Sequence, residues 1–406
     1  MNLFTVPLFP GLVAARFVCR LNRFVLACDL EGDIVSAHLP NPGRLWELLL
    51  PGRTVYLAKN GKSPRTTPYT AVAVDRAGAK VLLHTSMANR VVRFLLEEGR
   101  LPGWEGAEII KAEAVFGHSR FDFLLRQGAQ QAVLEVKSCT LFGRRLAMFP
   151  DAVSQRATRH LTTLAALSRE GYTCGVVFVV SSPSAELFLP DYHTDITFAR
   201  TLLLARERLR IKAVGVSWRD DLTLAETVRD IPIPWPLLEK EGRDQGAYLL
   251  LLHLTEDTTV TIGSLGPVFF PRGHYVYVGS ARKNLAKRLE RHGRKRKNLF
   301  WHIDYLREAA AGCQALPIRT ADDLEHELAR RLASLADWSI PRFGSSDCRC
   351  PTHLFGMKEN PIRNPEFMDF LLDVRMDRLT TKNMGSWGSF PTQKQDSQAI
   401  LREMPV

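Results

Sequence analysis

Turn-forming residues divide the N-terminal part of the chain into short, strand-like segments. Pairs such as Pro51-Gly52 and Ala77-Gly78 separate runs of alternating or β-branched residues between positions 23 and 86. The predicted strands are Arg23–Leu30, Asp33–Leu39, Arg53–Asn60, Tyr69–Arg76 and Lys80–Ser86. Five strands within so short a stretch favour a small closed or nearly closed β-barrel.

A different pattern begins at residue 88, where helical and strand-like segments alternate. The predicted elements are a helix over Ala88–Glu98, strands over Glu108–Val115, Phe121–Leu125 and Gln131–Lys137, a helix over 154–170, a strand over Cys174–Ser181, a helix over 194–209 and a strand over Ile211–Trp218. This alternation predicts an α/β layer after the barrel.

Two changes in composition divide the rest of the chain. The proline-rich stretch Ile231–Pro236 fits neither a regular helix nor a central strand, so we expect a linker there. A second α/β unit starts at Gly246, and the polar segment from Thr380 to Val406 is expected to be disordered. The predicted organisation is a barrel at 1–87, an α/β domain at 88–225, a linker at 226–245, a small α/β domain at 246–373 and a disordered tail at 374–406.

The charge balance indicates the class of partner. The chain of 406 residues carries a formal net charge of +11, which favours a polyanion because Lys and Arg release counterions when they neutralise phosphates. Its seven cysteines show no framework spacing, which argues against a disulfide scaffold. Pro7 and Pro10 interrupt the apolar N-terminus, which makes a signal peptide a poor fit. We therefore expect a cytoplasmic, nucleic-acid-binding protein with no membrane-spanning segment.

One predicted strand presents an acid and a base on the same face. Because side chains alternate across a strand, Glu135 and Lys137 point to one side while Leu134 and Val136 point to the other. If the preceding strand pairs with this one, Asp122 can meet Glu135. Two carboxylates and a backbone carbonyl suit Mg²⁺, and a nearby lysine can stabilise a developing phosphorane charge. The same pattern also fits a simple surface ion pair between Glu135 and Lys137.

Short sequence motifs in and around this strand resemble those of a known family. They are Asn41-Pro-Gly-Arg44, Pro68-Tyr69-Thr70, Ser119-Arg120-Phe121-Asp122-Phe123, Glu135-Val136-Lys137-Ser138 and Phe149-Pro-Asp-Ala-Val153. Over residues 12–225 they are similar to the sugar fermentation stimulation protein family, and the Asp…Glu-x-Lys arrangement resembles the PD-(D/E)XK nucleases. The resemblance implies an OB-like five-stranded barrel joined to a PD-(D/E)XK-like α/β domain.

The same resemblance implies roles for individual residues. Asp122 and Glu135 would bind metal, with Glu113 as an additional acid and Lys137 as a catalytic residue. Arg44 and Arg120 are candidates for nucleic-acid binding. The segment after Pro150 departs from the family pattern, because Gln155, Ala157 and Thr158 stand where Glu, Gly and Gln are expected, whereas Arg156 and His160 fit.

A second group of polar residues follows in the C-terminal unit. Tyr248 opens an apolar strand, Tyr277 lies in another, and Arg288 and His292 are four residues apart on one helical face. A Tyr or His could deprotonate water, an Arg could clamp the scissile phosphate and a glutamate could hold one Mg²⁺. Strand-core tyrosines beside a solvated arginine would give the same pattern.

These residues resemble the GIY-YIG nucleases. Gly246-Ala-Tyr248, Tyr277-Val-Gly279 and the helix from Asn284 to His292 match that family. Residues His302–Leu306, Glu325–Ala329 and Phe343–Cys348 are similar to its URI-type (DUF123) branch, over residues 246–356. The resemblance implies a small α/β domain with Tyr248, Tyr277, Arg288 and His292 as catalytic residues. Its metal ligand would be Glu325 or Glu327, two alternatives that the sequence leaves open.

A dense run of positive charge lies directly after the second tyrosine motif. Between Arg282 and Lys297 there are nine Lys or Arg and one acid, which is either a solvated face or a phosphate-binding surface. We favour the second, with Arg282, Lys283, Lys287, Arg291, Arg294, Lys295, Arg296 and Lys297 as nucleic-acid-binding residues. Phe300 and Trp301 either stack on bases or pack in the core.

The expected cofactor is Mg²⁺ or Mn²⁺. Zinc is not favoured, because Cys348, Cys350 and His353 supply three ligands with tight cysteine spacing, and Asp347 and Cys313 are the candidates for a fourth. The expected function is phosphodiester hydrolysis by a DNA or RNA nuclease, an endonuclease acting on DNA in preference to RNA. The alternative is a non-catalytic DNA-binding regulator of the sugar fermentation stimulation type, linked to maltose genes by family resemblance only.

Overall fold

The computed structural model describes residues 2–60, 67–182 and 184–381. Its N-terminal part is a barrel made of β1 (Leu12–Asn22), β2 (Val25–Leu30), β3 (Asp33–His38), β4 (Thr54–Lys59) and β5 (Tyr69–Arg76). The hydrogen-bonded order is β3-β2-β1-β4-β5, and a parallel pairing between β3 and β5 closes the ring. The predicted five-stranded barrel is therefore confirmed.

The five strands of the ring are not the five predicted ones. Strand β1 is absent from the prediction, and the segment predicted over Lys80–Ser86 forms a short strand outside the ring, β6 (Ala79–Leu82), paired with β5. Two register shifts in the pairing of β1 with β2 disturb the alternation of buried and exposed residues along β1. This disturbance explains why the period-2 pattern does not reveal the strand.

The second domain is a mixed sheet with helices on both faces. Its strands are β7 (Glu108–Phe116), β8 (Ser119–Gln127), β9 (Gln130–Cys139), β12 (Thr173–Val180), β14 (Arg210–Gly215) and β15 (Arg229–Ile231), in the order β15-β14-β12-β9-β8-β7. Its helices are α1 (Met87–Glu97), α2 (Gln155–Arg169) and α3 (Ile196–Ala205). A small second sheet pairs β10 (Leu141–Phe142) and β13 (Leu187–Pro190) with the two edges of β11 (Leu146–Phe149).

Helix α2 begins where its sequence provides a cap. The Ser154 hydroxyl accepts a hydrogen bond from the backbone N–H of Ala157, which satisfies one of the free donors of the first turn. Ala157, Leu161 and Leu164 then pack into the core that includes Val133 and Val176 of the sheet. The helix thereby carries His160, which is also buried, towards β9.

The predicted linker at 226–245 is wrong. Arg229–Ile231 is β15, an edge strand of the sheet. Pro232 follows it, and a proline at the end of an edge strand removes no hydrogen bond from the interior of the sheet. Trp235–Glu241 is a short helix, α4, with Pro236 in its first turn, the one place where a helix accepts proline. The prolines therefore fix the ends of two elements and do not separate domains.

The C-terminal domain is built on an antiparallel sheet with the order β20-β16-β19-β22-β21. Its strands are β16 (Gly246–Leu254), β19 (Gly273–Ala281), β20 (Gly312–Arg319), β21 (Trp338–Ser339) and β22 (Leu354–Met357), with a separate hairpin of β17 (Thr258–Ile262) and β18 (Gly266–Phe270). Its helices are α5 (Leu285–Gly293), α6 (His302–Ala309) and α7 (Glu325–Leu332). The predicted small α/β domain is thus present.

The predicted start of disorder at residue 374 is wrong, because the chain remains helical beyond it. Helix α8 (Pro365–Leu372) continues through a π-helical turn (Asp373–Asp377) into α9 (Arg378–Thr381). Met376 and Leu379 are buried against Met148 and Leu189 of the second domain, and this apolar contact stabilises the segment. The rest of the predicted tail, 382–406, lies outside the described residues.

Polar contacts also join the second domain to the C-terminal domain. The Arg319 guanidinium donates to the carbonyl of Tyr192 at 3.0 Å, and His193 accepts a hydrogen bond from the Arg319 backbone at Nδ1. Asp377 accepts a 2.7 Å hydrogen bond from the backbone N–H of Arg144. We call this contact region, with the apolar cluster around Met376 and Leu379, the α8–α9 interface. Within the described residues, no helix has both the length and the apolarity needed to cross a bilayer.

Candidate functional site

A cleft of about 380 Å³ opens between the barrel and the second domain. The barrel contributes Asn41 and Gly43, and the sheet contributes Asp122, Glu135 and Lys137. The alternation in β9 has the predicted result, because Leu134 and Val136 pack into the core beside α1 while Glu135 and Lys137 face the cleft. The structure thus brings together three of the residues that the sequence singles out.

Two side chains, those of His160 and Lys137, hold the carboxylate of Glu135. Its Oε1 lies 2.8 Å from Nδ1 of His160 on α2 and also contacts the ammonium of Lys137. Burial favours the neutral carboxyl, but His160 and Lys137 together lower the pKa of Glu135. The other oxygen, Oε2, is buried and has no hydrogen-bond partner among the described residues. A buried, charged and half-unpartnered carboxylate is the kind of group that a divalent cation would complete.

Asp122 is positioned differently. Its two oxygens accept hydrogen bonds from the side chain of Asn89 at 2.6 Å and from the backbone N–H of Val136 at 2.7 Å. Burial and the neighbouring Glu135 raise the pKa of Asp122 to about 6. Asp122 and Glu135 line one cleft and interact electrostatically, which fits a shared divalent cation. Asn89 was missed by the sequence analysis, because nothing in the pattern of α1 distinguishes it from the other polar residues of the helix.

The remaining candidates of the N-terminal half do not join this cleft. Glu113 has a positive φ of 53° and its exposed carboxylate lies 3.5 Å from Arg120, itself exposed on β8. The expectation that Glu113 adds a third acid to the site is therefore not met. Arg44 stacks on Trp46, with 4.8 Å between its guanidinium carbon and the ring centre, and lines a separate pocket beside Arg375.

The second candidate site lies where β16, β19 and α5 meet. The Tyr248 hydroxyl is 3.0 Å from Nε2 of His292, and the rings of Tyr248 and Tyr277 are 6.5 Å apart. Burial lowers the pKa of His292 and raises the pKa values of both tyrosines. The phenols are therefore protonated and the imidazole is neutral near neutral pH, an arrangement in which His292 can receive a proton.

Ser280, which the sequence analysis missed, connects the arginine and the acid of this site. Its carbonyl accepts a 3.0 Å hydrogen bond from Arg288, and its hydroxyl donates to Oε2 of Glu325. The other oxygen of Glu325 lies 3.1 Å from Nδ1 of His353. Burial opposes its charge, but His353 and Ser280 lower the pKa of Glu325. Glu325 thus faces the site as a charged group, and it interacts electrostatically with Tyr248 and Tyr277.

The structure separates the two glutamates that the sequence leaves open. Glu325 lines a cleft with Ser280 and interacts electrostatically with Tyr248 and Tyr277. Glu327 is half exposed and lies 3.8 Å from Arg331 on the same helix. Residues two apart on a helix point to nearly opposite sides. The structure therefore brings Glu325, and not Glu327, to the tyrosines and Arg288.

The basic run divides into exposed and internally paired residues. The exposed ones are Arg282, Lys283, Lys287, Arg294, Lys295 and Arg296. Arg291 and Lys297 instead contact the fully buried Asp304, at 3.0 and 2.9 Å, so much of their charge is neutralised inside the domain. Trp301 is half-buried against Arg291, while 76% of Phe300 is exposed.

Comparison with known proteins assigns each part of the chain. Residues 18–83 match the SfsA N-terminal OB domain, 86–221 match the sugar fermentation stimulation protein RE domain, and 247–375 match the domain of unknown function DUF123. The last of these is the family expected from the tyrosine motifs.

Individual relatives cover the first half of the chain. A sugar fermentation stimulation protein homolog of Methanothermobacter thermautotrophicus is 34% identical over 54% of this chain and 92% of its own length. A homolog of Moorella thermoacetica is 39% identical over 48% of this chain and 86% of its own length. The solved structure of Pyrococcus furiosus SfsA in complex with Ca²⁺ is 29% identical and covers 57% of this chain and 99% of that one, with a TM-score of 0.53. The chain therefore belongs to the sugar fermentation stimulation protein family, and it carries a DUF123 domain after the part that defines the family.

Proposed function

We propose that this protein binds nucleic acid, DNA in preference to RNA, and hydrolyses phosphodiester bonds as an endonuclease with Mg²⁺ or Mn²⁺ at one or both sites. The observation that carries the proposal is the cleft with Asp122, Glu135 and Lys137, in which Glu135 Oε2 is buried without a partner among the described residues. The Pyrococcus furiosus relative was solved with Ca²⁺, a hard cation that takes oxygen ligands as Mg²⁺ does. The Ca²⁺ of that relative supports a cation-binding role for this cleft.

At the N-terminal site, Asp122 and Glu135 would hold the cation. When bound, the cation would polarise a phosphoryl oxygen and lower the pKa of water. Lys137 extends from the same strand face and offers a positive charge to the phosphate or to the attacking water. His160 keeps Oε1 of Glu135 in place, while Oε2 is without a hydrogen-bond partner among the described residues.

At the C-terminal site, the residues themselves suggest a proton path. With Nδ1 protonated on the side of Asp304, 3.7 Å away, Nε2 of His292 can accept the proton of Tyr248 while that phenol deprotonates water. Arg288 is fixed at the edge of the site through the Ser280 carbonyl, where its planar group can clamp a phosphate. Glu325 would hold the cation there.

The exposed basic residues around α5 extend this site into a binding surface. Lys283, Lys287 and Arg296 are free of the contacts that neutralise Arg291 and Lys297. Phe300, 76% exposed, contacts the ring of Trp301, on which Arg288 and Arg291 lie, and it could stack on an unpaired base. Charge and an exposed aromatic ring together favour a nucleic acid over other polyanions.

A second candidate function is a DNA-binding regulator without catalysis in the N-terminal half. It is favoured by the start of α2, where Arg156 and Ala157 line the cleft but Gln155, Ala157 and Thr158 depart from the family's pattern. A cleft that keeps its acids but lacks supporting groups can bind nucleic acid without cutting it.

A cleavage assay on labelled single- and double-stranded DNA and RNA, with Mg²⁺ or with EDTA, separates the two functions. We expect cutting with Mg²⁺ and none with EDTA. Glu135→Gln should abolish the N-terminal contribution and Arg288→Ala the C-terminal one, while Glu108→Gln, an exposed acid paired with Arg126, serves as the matched control. Tight binding without cleavage of any substrate would leave only the regulator. Wild-type cutting by both site variants would show that the sites are assigned wrongly.

A further inference from the structure

We propose that the C-terminal domain contains a structural Zn²⁺ site that ties α7 to the loop before β22. Four side chains form it: His326 from α7, and Cys348, Cys350 and His353 from the loop. Their ligand atoms all lie within 4.8 Å of one another. The sequence alone offers only the three loop residues, and the fourth that the structure brings to them is His326, not Asp347 or Cys313.

The distances within the group match a tetrahedral zinc site. His326 Nδ1 lies 3.3 Å from the sulfur of Cys350, and Cys348 Sγ lies 3.5 Å from Nε2 of His353. With Zn–S near 2.3 Å and Zn–N near 2.1 Å, a regular tetrahedron places a sulfur and a nitrogen ligand about 3.6 Å apart. Both sulfur–nitrogen distances therefore lie within about 0.3 Å of the separation that one ion would impose.

The donor set selects the metal. Two sulfur and two imidazole ligands suit Zn²⁺, whereas Mg²⁺, Mn²⁺ and Ca²⁺ prefer oxygen. Four protein ligands close the coordination sphere, as in structural sites, and leave no open position for catalysis. This site is therefore distinct in chemistry from the two candidate Mg²⁺ sites.

Hydrogen bonds join the two ends of the loop, for example from the backbone N–H of His353 to the carbonyl of Phe343 at 2.8 Å, and Cys348 and Cys350 lie between these ends. Between β21, which ends at Ser339, and β22, which begins at Leu354, the described chain contains no helix or strand. The loop nevertheless passes close to the active-site aromatics, because Gly344 is so near the Tyr277 ring that a Cβ there would lie 2.8 Å from it. A metal that joins the loop to α7 would fix this approach, since a bound ion stabilises the conformation that supplies its ligands.

A carboxylate completes the outer shell of the site. His353 is buried, and its Nδ1 lies 3.1 Å from Oε1 of Glu325, which leaves Nε2 for the metal, as in carboxylate–histidine–zinc groupings. Glu325 is also the acid of the C-terminal candidate site. The further step, that zinc positions Glu325 for cleavage, rests on the proposed function, whereas the zinc site itself does not.

Metal content tests the site without any activity measurement. The full chain, purified without chelators, should contain about one zinc per chain by atomic emission, as expected for a closed four-ligand site. Cys348→Ser and Cys350→Ser should each lower the zinc content by at least half, while Cys313→Ser, a half-buried cysteine outside the group, should keep it. A wild type that holds no zinc and takes up none when it is added overturns the proposal, as does full zinc content in both ligand variants.

Cobalt substitution provides a readout that does not depend on whether a variant folds. Wild-type protein loaded with Co²⁺ should show the thiolate-to-metal charge-transfer band and the intense visible bands of tetrahedral coordination. The Cys313→Ser control should show the same spectrum. Octahedral, oxygen-type bands in the wild type would contradict the proposal. An inactive protein with the thiolate spectrum would refute the nuclease and leave the zinc site standing.

Discussion

Asp122 and Glu135 are neighbouring carboxylates with opposite electrostatic surroundings. Burial and the charge of Glu135 raise the pKa of Asp122 to about 6, whereas His160 and Lys137 overcome burial and lower the pKa of Glu135. Pairs of acids whose environments separate their pKa values are typical of sites with chemical function. Here the difference makes Asp122 the group that titrates near physiological pH.

Cation binding at the N-terminal site should therefore weaken as the pH falls through about 6, the pKa of Asp122. Protonation of that carboxyl removes a charged oxygen ligand, whereas Glu135 remains charged. Calorimetric titration of Ca²⁺ above and below this pH measures the effect. Asp122→Asn should bind weakly at every pH, and Glu108→Gln should behave as the wild type does. An affinity that does not change across this range would contradict the assignment.

Glu47 is a second buried acid, and it affects stability instead of chemistry. Burial raises its pKa from 4.5 to about 7, although Arg76 and Arg53 act in the opposite direction. Because the folded-state pKa is the higher one, folding favours the protonated form. The folded state therefore loses stability as the pH rises between these two values.

Glu47→Gln should remove this loss. Above pH 7, we expect the variant to be more stable than the wild type by roughly 1–3 kcal/mol, and the difference should vanish below the unfolded-state pKa. Urea denaturation at several pH values gives the free energy of unfolding for both proteins. The exposed Glu98 offers a control, Glu98→Gln. Equal stabilities of wild type and Glu47→Gln at high pH would show that folding does not raise the pKa of Glu47.

At the scale of elements, the segment around α5 combines two uses of positive charge. Arg291 and Lys297 neutralise the buried Asp304, whose hydrogen bonds with the backbone N–H groups of Phe300 and Trp301 fix the start of α6. Lys283, Lys287 and Arg296 remain exposed. Only the second group is available to phosphates.

Replacing Lys283, Lys287 and Arg296 together with Ala should weaken DNA binding and flatten its salt dependence. Each lost phosphate contact lowers the slope of log K against log salt by about 0.9, so the triple variant should lose up to about 3 units of slope. Fluorescence anisotropy with a labelled oligonucleotide at several salt concentrations measures this. The matched control replaces Arg330, Lys358 and Arg363, which are exposed on the same domain. Equal slopes for the two triple variants would mean that the surface around α5 is not the binding face.

The elements differ in how far the sequence could predict them. The interiors of α1 and α2 follow from periodicity, because each has one apolar face that packs against the core. Strand β1 does not, since it pairs with both β2 and β4 and contains bulges that break its alternation. The end of the chain was predicted as disordered because the partners of Met376 and Leu379 lie about two hundred residues earlier, where no local pattern can reveal them.

The candidate sites show the same limit. Alternation along β9 was enough to place Glu135 and Lys137 on one side, and helical geometry could have excluded one of Glu325 and Glu327. Neither rule identifies His326, because the other side chains of its group belong to a loop more than twenty residues further along the chain. Ser280 and Asn89 were missed for the same reason, because their roles depend on what folds against them.

On the scale of the whole molecule, the α8–α9 interface joins the DUF123 domain to the second domain. It combines apolar contacts of Met376 and Leu379 with the buried polar contacts of His193 and Arg319. Buried polar groups of this kind are costly unless every partner is in place. We therefore expect the two domains to unfold together.

Met376→Ala should test this coupling. Met376 is 1% exposed, so we expect its truncation to lower the free energy of unfolding by roughly 2–5 kcal/mol. Calorimetry of the full chain should show one transition, shifted as a whole to lower temperature. Leu204→Ala, at a 49% exposed position on α3, should shift it little. Two separate transitions, with only one of them moved, would show that the domains are energetically independent.

The α8–α9 interface also has a consequence for how the chain is made. Met148 and Leu189 leave the ribosome well before Met376 and Leu379, the residues that cover them. Domains fold as synthesis proceeds, at about 5–20 residues per second, so the second domain would stand with an apolar patch uncovered for on the order of ten seconds or more. During that interval the patch is accessible to other chains, so the nascent protein is more prone to aggregation than the finished one.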